Sequence, residues 1–278
     1  LIFASFLRYL SFMKTLRLIA LLMTSMLISC STLAPKVNES DINAEAAKAY
    51  AEIKAKSKIS TNKEWTAMVQ RVADRIAKAS GQNFQWEVVL IDSPEVNAWC
   101  MPGGKMAVYT GIMPVLKTEG ALAAVMGHEV AHATLRHGME GYIRAKQQSY
   151  AGILIAGATV VGGQLLCKTE ECRKWSALGG VAAGFALTFL ERKFSRGDET
   201  SADKKGQIYM AKAGYDPKES LVLWDRMNAA KQGAAPPEFI STHPSDQTRK
   251  NNLKSWLPEA EAAYAQSPSK YGLGAAIK

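Results

Sequence analysis

Apolar positions recur at helical spacing most clearly in residues 64–80, where Trp65, Met68, Val69, Val72, Ala73 and Ile76 share one face and Gly81 supplies the stop. Period-two alternation follows at once. Phe84, Trp86, Val88 and Leu90 fall on one face of a strand predicted over 84–91. Pro102, Gly103 and Gly104 confine the backbone to a turn ahead of a second strand over 105–109. Residues 44–60 are rich in Ala, Lys and Glu and predict a peripheral helix. Leu221, Leu223, Trp224 and Met227 mark another over 217–230, and Leu253, Trp256 and Leu257 a polar one after Arg249. Residues 120–137 are dominated by Ala, Leu, Val and Met with no proline, again a helical pattern. Two Gly/Ala-rich apolar stretches, 151–166 and 176–190, fall short of the roughly 20 residues that a membrane-spanning helix needs. They are read first as buried core helices, then as a hairpin dipping into a membrane, and last as true spans.

The first thirty residues are of another kind. A short basic segment, Met13 to Arg17, precedes an apolar run from Leu18 to Ile28, the pattern of an export signal, with Met13 an alternative initiator. Its removal would strip Arg8, Lys14 and Arg17 and no acid. The remaining basic excess is modest against the +9 of the whole chain. No dense Lys/Arg block interleaves with aromatics, so nucleic-acid binding is not expected. Cysteine usage is sparse. Cys167 and Cys172 flank a polar Lys-Thr-Glu-Glu turn and can close a small loop, which would leave Cys100 free; two other pairings stay formally open.

The chemistry centres on His128-Glu129-Val130-Ala131-His132. On a helix the two histidines lie one turn apart on one face, where both imidazoles reach a single metal ion. Glu129 stands at a different angle, which suits a base acting on water better than a ligand. An ordinary solvated patch is the alternative, but the chain has only four histidines and this pair sits in an almost wholly apolar run. A catalytic zinc requires a third protein ligand and an open position. Glu199 and Asp203, one turn apart on a helix that Ser195 or Asp198 can cap, are candidates for that ligand and for a carboxylate orienting a ligating histidine. Acidic pairs at this spacing are also common on solvated helices. His243, just before another helix start, admits two equal readings: with Arg249 it stabilises an oxyanion, or it is a surface histidine in a capped turn.

In order along the chain, Asn97-Ala98 with Pro102-Gly103-Gly104, the His128 to His132 motif, Ser195-Arg196 with Glu199 and Ala202-Asp203, and Thr242-His243-Pro244-Ser245 with Arg249 resemble the HtpX-type family of zinc metallopeptidases. Within it they resemble the LoiP/BepA-like periplasmic, outer-membrane lipoprotein branch. The similarity spans about residues 64–257. It implies an α+β, mainly helical, zincin-like fold with a small sheet whose edge strand flanks the motif helix. It further implies one zinc ion on His128, His132 and Glu199, with Glu129 as general base and Asp203 behind a ligating histidine. His243 would serve in transition-state stabilisation or gating, with Arg249 as its companion. Substrate would lie along an edge formed by Pro102, Gly103, Gly104, Lys105, Met106, Ala107, Val108 and Tyr109. Cys100 is read as a disulfide partner or packed thiol rather than a fourth ligand. Thr200-Ser201 departs from the larger or acidic residues many relatives carry there.

Leu27-Ile28-Ser29-Cys30 resembles the lipobox of bacterial lipoproteins, which implies a lipidated Cys30 and, with Ser31 after it, attachment at the periplasmic face of the outer membrane. The expected organisation is a signal over 1–29, a lipid-anchored tether over 30–43, a single metallopeptidase domain over 44–260 and a mobile tail over 261–278. The expected activity is endoproteolysis of unfolded or misfolded cell-envelope proteins, with membrane contact through the lipid and an outer-membrane assembly or protease partner. The competing expectations are an assembly chaperone or scaffold with a largely latent metal site, and a non-enzymatic lipoprotein binding module.

Overall fold

The computed structural model describes residues 38–144, 189, 193–230, 239, 242–243 and 247–277. Cys30, Cys167, Cys172 and nearly all of the two apolar stretches lie outside them. Among the described residues no helix is long and apolar enough to cross a membrane. Residues 38–142 and 160–278 fall in one compact unit, and the fold below is that unit's.

Helix α1, Glu39–Lys56, begins where the Asn38 side chain accepts the Asp41 N–H, and it buries Ile42, Ala46, Ala49, Tyr50 and Ile53. The end of the expected tether is therefore helical. Ile42, at the same helical spacing as Ala46 and Ala49, pulls the start of the helix forward. Helix α2, Lys63–Ser80, is capped by Asn62 and closed by Gly81 at φ 68°. Its buried stripe is the expected one, except that Trp65 is only partly covered.

Three strands follow: β1 (Glu87–Ile91), β2 (Ala98–Met101) and β3 (Lys105–Tyr109), in the order β1–β3–β2. β3 runs parallel to β1 and antiparallel to β2. This corrects the expected substrate edge. Residues Lys105 to Tyr109 form the central strand, with both sides already paired, so they have no free main-chain groups to offer. Pro102, Gly103 and Gly104 form the turn, and a Cβ on Gly104 (φ +85°) would come within 2.6 Å of the Trp86 ring. Among the described residues the edge strands are β1 and β2, and β2 is the one that packs on the helix carrying His128. An alternating hydrophobic run marks a strand but not its neighbours, which is why sequence could not separate centre from edge.

A 3₁₀ turn (Thr110–Ile112) and the single-turn α3 (Met113–Leu116) lead to α4, Glu119–Thr134, which is buried along its whole length. α4 is the axis of this unit, packed against α2, β2, α5 (Arg196–Lys212) and α6 (Glu219–Ala230). α7, Gln247–Gln266, lies on α5 and α6. The expected mobile tail is instead docked. Residues 261–266 are the last turns of α7. Beyond them the Tyr271 N–H donates to Gly214 O (2.8 Å), the Glu119 N–H to Ala275 O (3.0 Å) and the Ile277 N–H to Lys117 O (2.9 Å). The Arg75 guanidinium covers the Tyr271 ring at 3.5 Å. Small residues without periodicity gave no sign of these main-chain bonds.

Candidate metal centre

The third and fourth turns of α4 bring His128, Glu129 and His132 to one buried point. The two Nε2 atoms stand 3.0 Å apart. Across from them α5 presents Glu199, whose carboxylate oxygens lie 3.4 Å from His128 Nε2 and 3.5 Å from His132 Nε2. The ligand atoms of these three residues and His243 all fall within 4.8 Å of one another.

Two glycines set this approach. A Cβ on Gly127 would lie 2.7 Å from Gly206 O, and one on Gly206 would lie 2.7 Å from the His128 N. The helices therefore touch backbone to backbone, one turn from Asp203 and two turns from Glu199, so that short carboxylates reach the imidazoles. Ser195 and Asp198 form a full capping box that fixes where α5 begins, and with it the rotation of Glu199 toward α4.

The second layer orients the first. Asp203 Oδ1 lies 3.0 Å from His128 Nδ1, so with a metal bound the outer nitrogen of that ring would hold the proton and Nε2 would face the centre. Arg249 departs from its expected place beside an oxyanion. Its Nε and Nη2 each donate to Asp203 at 2.6 Å, while Nη1 stands 2.6 Å from Glu199 Oε2. Its guanidinium also lies 4.1 Å from the Trp224 ring centroid. With its fork spent on two carboxylates, Arg249 aligns Glu199 and Asp203. His243 is no surface histidine. It is buried between Phe194 and Phe239, with Nδ1 3.0 Å from Glu199 Oε1 and 3.2 Å from His128 Nε2, and with Nε2 3.4 Å from Glu129 Oε1.

Burial and charge pull these groups apart. Burial raises Glu129 above the ordinary carboxylate range, an effect partly offset by His243 and His128. Burial would also raise Glu199 and Asp203, but His243 and His128 around the first and Arg249 beside the second outweigh it and hold both low. Burial pushes His132 well down, further helped by the neighbouring His128. His128 goes the other way: burial opposes its charge, yet the bonds to Asp203 and Glu199 win and raise it to about 9.

These donors fit a metal. Two imidazole nitrogens and a carboxylate converge on one point, and Glu129 Oε1 is buried with no hydrogen-bond partner among the described residues. Nitrogen and oxygen donors in this number suit zinc. A family model of peptidase family M48 matches residues 60–257, most of the chain and every residue of the cluster.

The chain belongs to peptidase family M48.

Among curated relatives it is 38% identical over 199 residues to the mitochondrial metalloendopeptidase OMA1 of Schizosaccharomyces pombe, covering 70% of this chain and 54% of that protein. It is 29% identical over 183 residues to the OMA1 of Homo sapiens, covering 64% and 33%. It is 25% identical over 205 residues to the beta-barrel assembly-enhancing protease of Escherichia coli K12, covering 72% and 40%. The chain thus spans about half, or less, of the curated relatives it matches. The mainly helical α+β fold with its three-stranded sheet agrees with the expected class.

The structure brings His128, Glu129, His132, Glu199, Asp203, His243 and Arg249 together, with Arg249 bonded to carboxylates. Cys100 is a free, buried thiol that neither ligates nor pairs among the described residues. Sequence reasoning passed over His137, Gly127 and Gly206, and took Ser201 for a surface residue, whereas its Oγ lies 3.2 Å from His137 Nε2. The glycine pair carried a weak signal, as two glycines inside predicted helices. His137 carried none, because five residues after His132 is the wrong spacing for a shared helix face.

Proposed function

We propose that this M48 chain is a zinc-dependent endopeptidase. One observation carries the reading: His128 Nε2, His132 Nε2 and a Glu199 carboxylate converge within bonding reach of one point, with Glu129 beside it. Bound zinc would supply a Lewis acid that polarises water and the scissile carbonyl. Glu129, raised by burial and otherwise unpartnered at Oε1, takes the proton of the attacking water and delivers it to the leaving amine. Ala98 and Cys100 sit at the positions of β2 whose main-chain groups point away from β3, as the Tyr109 N–H to Asn97 O bond shows, and an extended peptide can add along that edge. Main-chain pairing tolerates many sequences and suits loosely folded substrates.

His243 favours a resting form. A catalytic zinc keeps an open position, and a fourth ligand, His243 Nδ1, held 3.0 Å from Glu199 Oε1, would fill it. The cavity between Trp99, Glu129, Phe189, Phe194 and His243, about 20 Å³, has room for one water and none for a peptide. His243 therefore swings clear before substrate enters, and its Nε2 then faces the developing oxyanion.

The cellular setting follows the LoiP/BepA-like reading. Unfolded or misfolded envelope proteins are the substrates, and a lipid on Cys30 holds the chain at the periplasmic face of the outer membrane. The likeness to a beta-barrel assembly-enhancing protease supports an assembly partner there. Replacing Cys30 with Ser should release the chain from membranes; unchanged membrane recovery would contradict the anchor. Glu129→Gln tests the chemistry. Zinc should stay bound while casein hydrolysis falls by about 10²–10⁴-fold, and retained hydrolysis would overturn the assignment of the base.

A further inference from the structure

The fourth histidine has no role in the chemistry above, yet it is buried against the centre. α4 ends at Thr134, and Arg136 adopts φ 63°, a left-handed conformation in which the helix cannot continue. Arg136 is held there: its Nη1 donates to Thr134 O (3.1 Å) and its Nε to both oxygens of Glu39 (3.1 and 3.0 Å). The reversal returns His137 to the rear of His132, Nδ1 to Nδ1 at 3.0 Å. The other nitrogen of His137 lies 3.2 Å from Ser201 Oγ, and that hydroxyl donates to Asp198 O at 3.0 Å.

Only one set of protons fits this chain when a metal is held. His132 must offer an unprotonated Nε2, so its proton sits on Nδ1 and is donated to His137 Nδ1. His137 then carries its own proton on Nε2. Ser201 Oγ has committed its hydrogen to Asp198 O and is free to accept it, with Asp198 Oδ1 farther off at 3.9 Å. The reverse direction would place a proton on His132 Nε2, pointing into the donor cluster.

We infer that His137 is a positioning residue which, through Ser201, fixes the tautomer and ring orientation of His132 for the metal. This rests on the zinc reading above. It gives the two ligating histidines unlike supports: a carboxylate, Asp203, behind His128 and a neutral imidazole behind His132. Outer partners of this kind typically carry about 10–100-fold in metal affinity.

The test is zinc affinity of the full chain by chelator competition, read beside the unfolding midpoint of the metal-free protein. His137→Phe keeps an aromatic ring against Phe194 and removes the acceptor; zinc Kd should rise about 10–100-fold with the metal-free midpoint little moved. His137→Gln, whose amide oxygen can accept the His132 proton, should recover most of the loss, and Ser201→Ala should weaken zinc by a smaller factor. An unchanged Kd in His137→Phe overturns the inference. So does an equal loss in the Phe and Gln variants with a parallel drop in metal-free stability, which is packing alone. If the Phe variant does not fold, nitrogen-15 imidazole NMR of the zinc-loaded wild type decides: a proton on His137 Nε2 supports the relay, and one on His137 Nδ1 overturns it. A wild-type chain that takes up no zinc would instead sink the zinc reading itself.

Discussion

Helix α4 carries a buried polar cluster at each end, and the two differ in how they are satisfied. At its start, Glu119 receives Arg71 Nη2 at 2.6 Å, Arg75 Nη1 at 3.3 Å and the Tyr215 hydroxyl at 2.9 Å, while Arg75 also donates to Tyr215 at 2.7 Å. Donors meet acceptors and the charges close. Near its C-terminus, the ligand atoms of His128, His132, Glu199 and His243 crowd within 4.8 Å of one another, and Arg249 on Asp203 and the groups behind the rings hold that arrangement. Burial of charge is common to both ends, so burial alone does not mark a site. What marks it is a polar cluster that the protein supports from outside and leaves unbalanced within.

The comparison is broken most severely by removing a ligand. Glu199→Ala should lower zinc affinity more than about 100-fold, beyond the usual cost of losing an outer partner, and equilibrium dialysis against a chelator measures it. Acid acts next. In the metal-free protein His128 keeps its proton up to about 9, so zinc must displace it, and apparent zinc affinity should fall roughly tenfold per pH unit below that value. Metal-free stability should move the opposite way. The His128 pKa is raised in the folded state, so its contribution is complete below the ordinary value of 6.5 and is lost as pH rises through about 9. A metal-free melting temperature that rises across that window would contradict the pairing with Asp203 and Glu199.

Packing comes third. Gly206→Ala forces a methyl against the His128 backbone; it should cost about 1–3 kcal/mol in denaturant unfolding and weaken zinc in parallel, since Glu199 and Asp203 ride on the same helix. The gentlest change is at the balanced end. Glu119→Gln should cost about 1–2 kcal/mol, tempered by the partial exposure of Arg71, and leave zinc stoichiometry and hydrolysis as they were. A loss of zinc in Glu119→Gln would show that the two ends of α4 are not independent.

Much of this was legible in the sequence for a physical reason: the ligands and their period lie in one chain order. His128 and His132 share a helix face by spacing alone, and the α2 stripe and the β1 strand follow from periodicity. What could not be read was set by tertiary contact. The Pro102 to Tyr109 segment has the pattern of a strand wherever it sits, and only its pairing with β1 moves it to the centre of the sheet. Arg249 advertises a positive charge, but whether that charge serves an oxyanion or two carboxylates depends on α7 crossing α5. The tail after Gln266 is held by main-chain bonds, which any sequence can make. His137 reaches His132 only through the left-handed turn at Arg136, a conformation that an arginine does not announce.

The central claim, that the unbalanced end of α4 is closed by one metal ion, is tested most directly by anomalous diffraction at the zinc edge on crystals of the wild-type chain. The account predicts a single peak within bonding distance of His128 Nε2, His132 Nε2 and the Glu199 carboxylate, and its loss in Glu199→Ala. A wild-type crystal grown with zinc that shows no peak there, with the histidines hydrogen-bonded among themselves, would contradict it.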